Sequence, residues 1–249
     1  MPTQLPETVT PAPINNPVSE FPLVRGQTWV YSSTKHTTLR TEGKIPEEDR
    51  ADYYYIEDEF GLKLITATFK ITDTVMSTAV KDDYFVAELS SEQTFISATI
   101  DLDELATYGD INNYWGSLYT TEKFWYVISD TQLFRQSILD LTTVEDSFLE
   151  YTFPLSEFSF WYPDPTQRQA NSTISSGLRT IDAATGFMKI STPAGDFEEC
   201  VRIFTVFLSG PVFQNFCAGI GRVSEKHDHN GTRFGFETVL IDFYIMEQP

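Results

Sequence analysis

The sequence predicts an all-β protein, built as one strongly curved antiparallel sheet or open barrel with one or two short helices. Three observations carry that prediction. Short stretches of alternating apolar and polar residues recur along the chain between turn signals, the period-two pattern of half-buried strands. Aromatic residues are abundant, with 20 Phe and 12 Tyr among 249 residues, and these side chains suit a pleated surface. Both cysteines, Cys200 and Cys217, fall in one stretch that reads as consecutive strands.

Residues 1–19 contain Pro2, Pro6, Pro11, Pro13 and Pro17 and no apolar period, so they read as a mobile linker. A single β-rich domain is expected over residues 20–249. It opens at Phe21-Pro22-Leu23, turns at Arg25-Gly26-Gln27 and enters its first strand at Trp29-Val30-Tyr31. The acidic stretch 42–59, with Glu47, Glu48, Asp49 and Asp52, reads as a long loop and a candidate cation site. Strands are predicted at Leu64–Ile71, Thr74–Val80, Tyr84–Leu89 and Thr94–Ile100, with Lys81-Asp82-Asp83 turning the middle pair.

Asp101 to Tyr108 is the best helix: Asp101 can cap it, acids fill its first turn and Gly109 can end it. Its acids do not make an EF-hand loop, because Ala106 and Asn112 stand where Gly and Glu are required. Lys123–Ile128 and Gln132–Ser137 read as a hairpin. Phe153-Pro154-Leu155 repeats Phe21-Pro22-Leu23, and each triplet precedes a tryptophan at the same offset; this would mark two related half-sheets if it is a repeat. Residues 162–176 read as a polar loop without pattern.

From Phe187 to Val223, Thr192-Pro193-Ala194-Gly195 reads as a turn, with Pro presetting φ at the second position. Beyond it, strict alternation puts Phe197, Glu199, Val201, Ile203, Thr205 and Phe207 on one face and Cys200, Arg202, Phe204, Val206 and Leu208 on the other. Reversing the chain about Ser209-Gly210-Pro211 brings Cys217 level with Cys200 to within a residue or so. That makes a Cys200–Cys217 disulfide geometrically reasonable, the alternative being two buried thiols. Gly219-Ile220-Gly221 lacks the third Gly and following helix of a phosphate loop and reads as a strand kink. At the C-terminus, Asn230-Gly231 signals a two-residue hairpin turn between Val223–His229 and Thr232–Ile245.

The series FPL-x5-W-x-Y (Phe21–Tyr31), TPAGDFEEC (Thr192–Cys200) and CAGIGRV (Cys217–Val223) resembles a loose group of bacterial exported, often lipid-anchored, β-rich domains of unknown function. The resemblance implies an envelope or secreted location, and an export or lipid-attachment segment ahead of Met1 in the precursor. It implies no activity.

Function classes narrow by charge and motif. A net charge of −19 excludes docking on a nucleic-acid backbone, which needs clustered cations, and docking on anionic lipid through protein charge. Membrane contact is therefore expected only through an N-terminal lipid anchor. No nucleophile elbow occurs, no residues are nominated as catalytic, and no cofactor is expected. Glu225, His227 and His229 share one strand face at spacing two, so they are a candidate divalent-metal site; His36 is remote in sequence. Aromatic clusters at Tyr53–Tyr55, Phe124-Trp125-Tyr126 and Phe158–Tyr162 would line a cup for a hydrophobic small molecule or lipid, or stack on sugars if exposed. The leading expectation is thus an extracytoplasmic, non-catalytic binding module. The alternatives are a structural or protein-interaction domain of the envelope, and a paired-carboxylate hydrolase.

Overall fold

The computed structural model of the chain describes residues 21, 23–40, 62–156, 159–169, 177–182, 187–230 and 234–244. The expected linker, the acidic 42–59 loop and its candidate cation site lie outside the described residues. The strands are β1 (Thr28–Arg40), β2 (Leu62–Lys81), β3 (Tyr84–Ala98), β4 (Tyr119–Ile128), β5 (Gln132–Gln136), β6 (Phe148–Thr152) and β7 (Phe160–Trp161). They continue as β8 (Arg179–Ile181), β9 (Met188–Thr192), β10 (Gly195–Thr205), β11 (Val212–Cys217), β12 (Gly221–Asp228) and β13 (Gly235–Tyr244). Three short α-helices, α1 (Leu102–Ala106), α2 (Asn112–Trp115) and α3 (Pro165–Gln169), and a 3₁₀ turn (Val144–Asp146) complete the described elements.

The strands form one antiparallel sheet in the order β6-β5-β4-β3-β2-β1-β13-β12-β11-β10-β8-β7, with β9 also paired to β10. The sheet is nearly closed into a barrel, as the predicted fold class required. Its two ends meet where the Leu149 amide donates to the Pro163 carbonyl (3.0 Å) and the Trp161 indole donates to the Glu150 carbonyl (3.2 Å). Arg179 donates to that same carbonyl at 2.7 Å.

Bulges explain where sequence alternation misleads. Four strands predicted between Leu64 and Ile100 are two long ones, β2 and β3: pairing runs unbroken through the expected breaks at 72–73 and 90–93, and the irregularities are bulges at Thr68/Phe69 and Val75/Ser77. The turn falls at Asp82-Asp83, within the predicted Lys81-Asp82-Asp83, with both residues at positive φ (47° and 69°), the left-handed pair of a hairpin turn. In β10, Glu199 sits at φ 56° and a bulge separates Phe197 from Cys200. Strict alternation therefore fails, and Phe197 and Cys200 both turn inward.

Other expectations shift in the same physical way. Gly219-Ile220-Gly221 is not a strand kink but the turn joining β11 to β12, with Cys217 paired to Gly221. A Cβ on Gly221 would collide with the Phe21 ring, so the closing glycine makes room for the domain's opening aromatic. The C-terminal hairpin is wider than a two-residue turn: Asp228 pairs with Gly235, and the His229 amide donates to the Phe234 carbonyl. The Asn230 amide is instead taken by the Ser209 carbonyl (2.7 Å), which pins it to the neighbouring turn. The 162–176 stretch contains α3, whose start is signalled by Asp164-Pro165; the Asp164 carboxylate accepts from the Thr166 amide at 2.7 Å.

The α1 expectation holds: Asp101 accepts from the Asp103 and Glu104 amides (2.8 and 3.2 Å). Cys200 and Cys217 are direct register partners joined by a disulfide, with their Cα atoms 4.0 Å apart. The leading rings of the two Phe-Pro-Leu triplets share a neighbour: Phe21 and Phe153 both pack on Phe216, at 5.8 and 6.1 Å between ring centres.

Two cores result. The larger holds Phe21, Trp29, Tyr31, Tyr151, Phe216 and the disulfide. The smaller, under α1 and α2, holds Leu39, Ile65, Ala67, Phe69, Ile100, Leu105 and Trp115.

Candidate functional site

Inside the larger core the sheet encloses a chamber of about 160 Å³. Six residues of its wall are aromatic: Phe21, Trp29, Tyr31, Phe124, Tyr126 and Tyr151. Ile71 and Leu89 add aliphatic surface, and six polar residues complete it: Asp73 from β2, Ser91 from β3, Arg135 from β5, Glu150 from β6, Gln214 from β11 and Arg222 from β12. Alternation delivers these side chains inward from six strands. A bulge delivers the key pair. β12 carries one extra residue between the Phe216–Arg222 and Asn215–Ser224 pairs, so Arg222 and Glu225, three apart, reach one another.

Arg222 donates to Glu225 at 2.7 Å and faces Asp73 at 3.8 Å. Its guanidinium stacks 5.0 Å from the centre of the Tyr31 ring, and its carbonyl accepts from the Tyr31 hydroxyl at 3.2 Å. Burial disfavours the Arg222 charge, but Glu225 and Asp73 outweigh burial and push its pKa up. Across the chamber, Arg135 lies 4.2 Å over the Phe124 ring and 4.0 Å from Glu150. Arg179 holds the second Glu150 oxygen at 3.1 Å. Such pairs are costly to bury unless both charges and their hydrogen bonds are met.

The tyrosines are held neutral. Burial, chiefly, raises the pKa of Tyr31, Tyr126 and Tyr151, and the Glu150 carboxylate adds to it at the last two. They therefore stay hydroxyl donors: Tyr151 donates to Gln214 at 3.0 Å. One acceptor is unmet: Asp73 lines the chamber, and its buried Oδ1 has no hydrogen-bond partner. A buried acceptor without a donor costs about 1–3 kcal/mol.

The predicted metal residues are divided. Glu225 is taken by Arg222, and among the described residues no three metal-ligating side chains converge. His227 and His229 do share a face, with ring centres 6.3 Å apart. His36 is close in space although remote in sequence: it pairs with Gly235, next to the His227–Phe236 pair. The register places it on the opposite sheet face from His227. Phe124 and Tyr126 do line the chamber, whereas Phe160 is exposed on the outside.

The chamber's charged residues escaped sequence reading. One signal was available, the carboxylate Glu150 set inside the apolar run Phe148–Phe153. Asp73 was hidden because it sits where the pattern suggested a turn. Arg222 was hidden because the bulge that aims it inward leaves no mark in the alternation.

No family model matches the chain, and no curated protein matches it. Two solved structures resemble it in overall shape. One, from Bacteroides fragilis, is described as an exported protein with a YmcC-like fold; it is 13% identical with a TM-score of 0.40, over 91% of this chain and 99% of that one. The other, from Parabacteroides distasonis, is described as a lipoprotein; it is 14% identical with a TM-score of 0.40, over 90% of this chain and 97% of that one.

Proposed function

We propose that the chain is an extracytoplasmic binding module of the bacterial envelope that takes a small, hydroxyl-bearing ligand into the chamber. The carrying observation is the unpartnered, buried Asp73 Oδ1 in a wall of aromatic rings. The acceptor asks for a donor. The rings offer a stacking face, and the charges are already paired with one another, so the ligand need not be charged. A ring of one-sugar size fits that description. A disulfide between adjacent strands belongs to an oxidising compartment, which supports export.

A long-chain lipid suits the chamber poorly. Drug-sized ligands occupy about 300–1,000 Å³ in mostly apolar pockets, against about 160 Å³ with two arginines and two carboxylates here. Asp73 and Glu150 each face an arginine, an arrangement for holding charge and not for a free acid–base pair.

Thermal-shift titration against a panel of monosaccharides, polyols and fatty acids tests this reading. A stabilising sugar or polyol whose effect is abolished in Asp73→Asn and Arg222→Met supports it. A response to fatty acids alone would restore the hydrophobic-carrier reading, and no response at millimolar concentrations would favour the interaction module.

A further inference from the structure

The chain's histidines gather at one corner of the sheet, away from the chamber's arginines. His227 is 9% exposed, and its Nε2 is buried without a hydrogen-bond partner. On His229, the buried Nδ1 is likewise unpartnered. The Gly210 backbone is hydrogen-bonded to the His227 imidazole, and Nε2 is the ring nitrogen left without a partner. A backbone group that orients one ring nitrogen in this way is the usual support of a metal-ligating histidine. The turn carrying Gly210 is built against this strand end: a Cβ there would collide with the Asp228 carbonyl, and the Asn230 amide is held by Ser209.

We propose that His227 and His229 bind one divalent transition-metal ion, Cu²⁺ ahead of Zn²⁺, with water completing its coordination. Two imidazoles on one strand face suit the tetragonal nitrogen–oxygen geometry of Cu²⁺, and Cu²⁺ heads the divalent affinity series. A metal–nitrogen bond of about 2 Å puts the ion about 3 Å from each ring centre, so two rings sharing it stand up to about 6 Å apart. The observed 6.3 Å lies just beyond that range, so sharing one ion requires the half-buried His229 ring to turn toward His227. Glu225 takes no part, because Arg222 holds it.

The test is Cu²⁺ titration of the untagged protein, followed by calorimetry and by electron paramagnetic resonance. One equivalent should bind with nitrogen hyperfine structure from two imidazoles. His229→Gln should weaken binding at least tenfold, and the His227→Gln/His229→Gln pair at least a hundredfold. Equal binding by wild type and the double variant would assign the copper to the acidic surface and overturn the proposal. So would the absence of stoichiometric binding, or a spectrum with oxygen ligands only. The wild-type spectrum decides the matter even if the double variant fails to fold.

Discussion

The two cores share the same strands and follow opposite rules. β1 contributes Trp29 and Tyr31 to the large core and Leu39 to the small one; β2 contributes Val75 to the first and Ile65, Ala67 and Phe69 to the second. The small core, capped by α1 and α2, is apolar. The large core surrounds a chamber carrying Asp73, Arg135, Glu150 and Arg222. At the boundary Lys35 lies 4.7 Å over the Phe69 ring and donates to Gln93 and to the Trp115 carbonyl (3.0 and 3.2 Å). The contrast teaches that this sheet can bury an ordinary core when stability is the only demand. Charges in the other half are the feature on which the proposed binding role rests.

The largest effect separates the halves. Trp115→Ala, which empties the centre of the small core, should cost about 4 kcal/mol by denaturant unfolding while leaving ligand binding at the chamber unchanged. A parallel loss of binding would mean that the two halves are one cooperative site. Arg222→Met should cost about 3 kcal/mol, the low end for breaking a buried pair, because the arginine side chain keeps 29% exposure. Replacing the whole set (Asp73→Leu, Arg222→Met, Glu225→Leu) should recover most of that stability, since apolar substitutes for buried ion networks are often neutral or better. A triple variant as unstable as Arg222→Met would show the network to be structural.

Cys200→Ser with Cys217→Ser should lower stability by about 3 kcal/mol through the longer unfolded-state loop, with the melting temperature as readout. The smallest effect is at the boundary. Burial lowers the Lys35 pKa, so the folded chain sheds that proton before the unfolded chain does. Stability from this residue therefore rises with pH between the lowered value and the ordinary lysine value of about 10.4. Lys35→Met should differ from wild type by less than about 1 kcal/mol at pH 7, and wild type should gain on it as the pH rises toward the ordinary lysine value.

The sheet was legible because its signals are local. Proline, Asx and glycine turns, the Asp101 cap and the cysteine spacing each fix geometry within a few residues. The α3 start at Asp164-Pro165 was equally local and was passed over. The chamber was not legible, because its wall is assembled from eight strands and aimed by a bulge. Arg222 and Asp73 are 149 positions apart in sequence and become neighbours only through the β2-β1-β13-β12 order.

Native mass spectrometry of the protein exported into an oxidising compartment tests the chamber most directly. The account predicts a co-purifying or added mass of monosaccharide size on the wild type that Asp73→Asn fails to retain. A long-chain lipid mass, or a sugar adduct equally strong on Asp73→Asn, would contradict it.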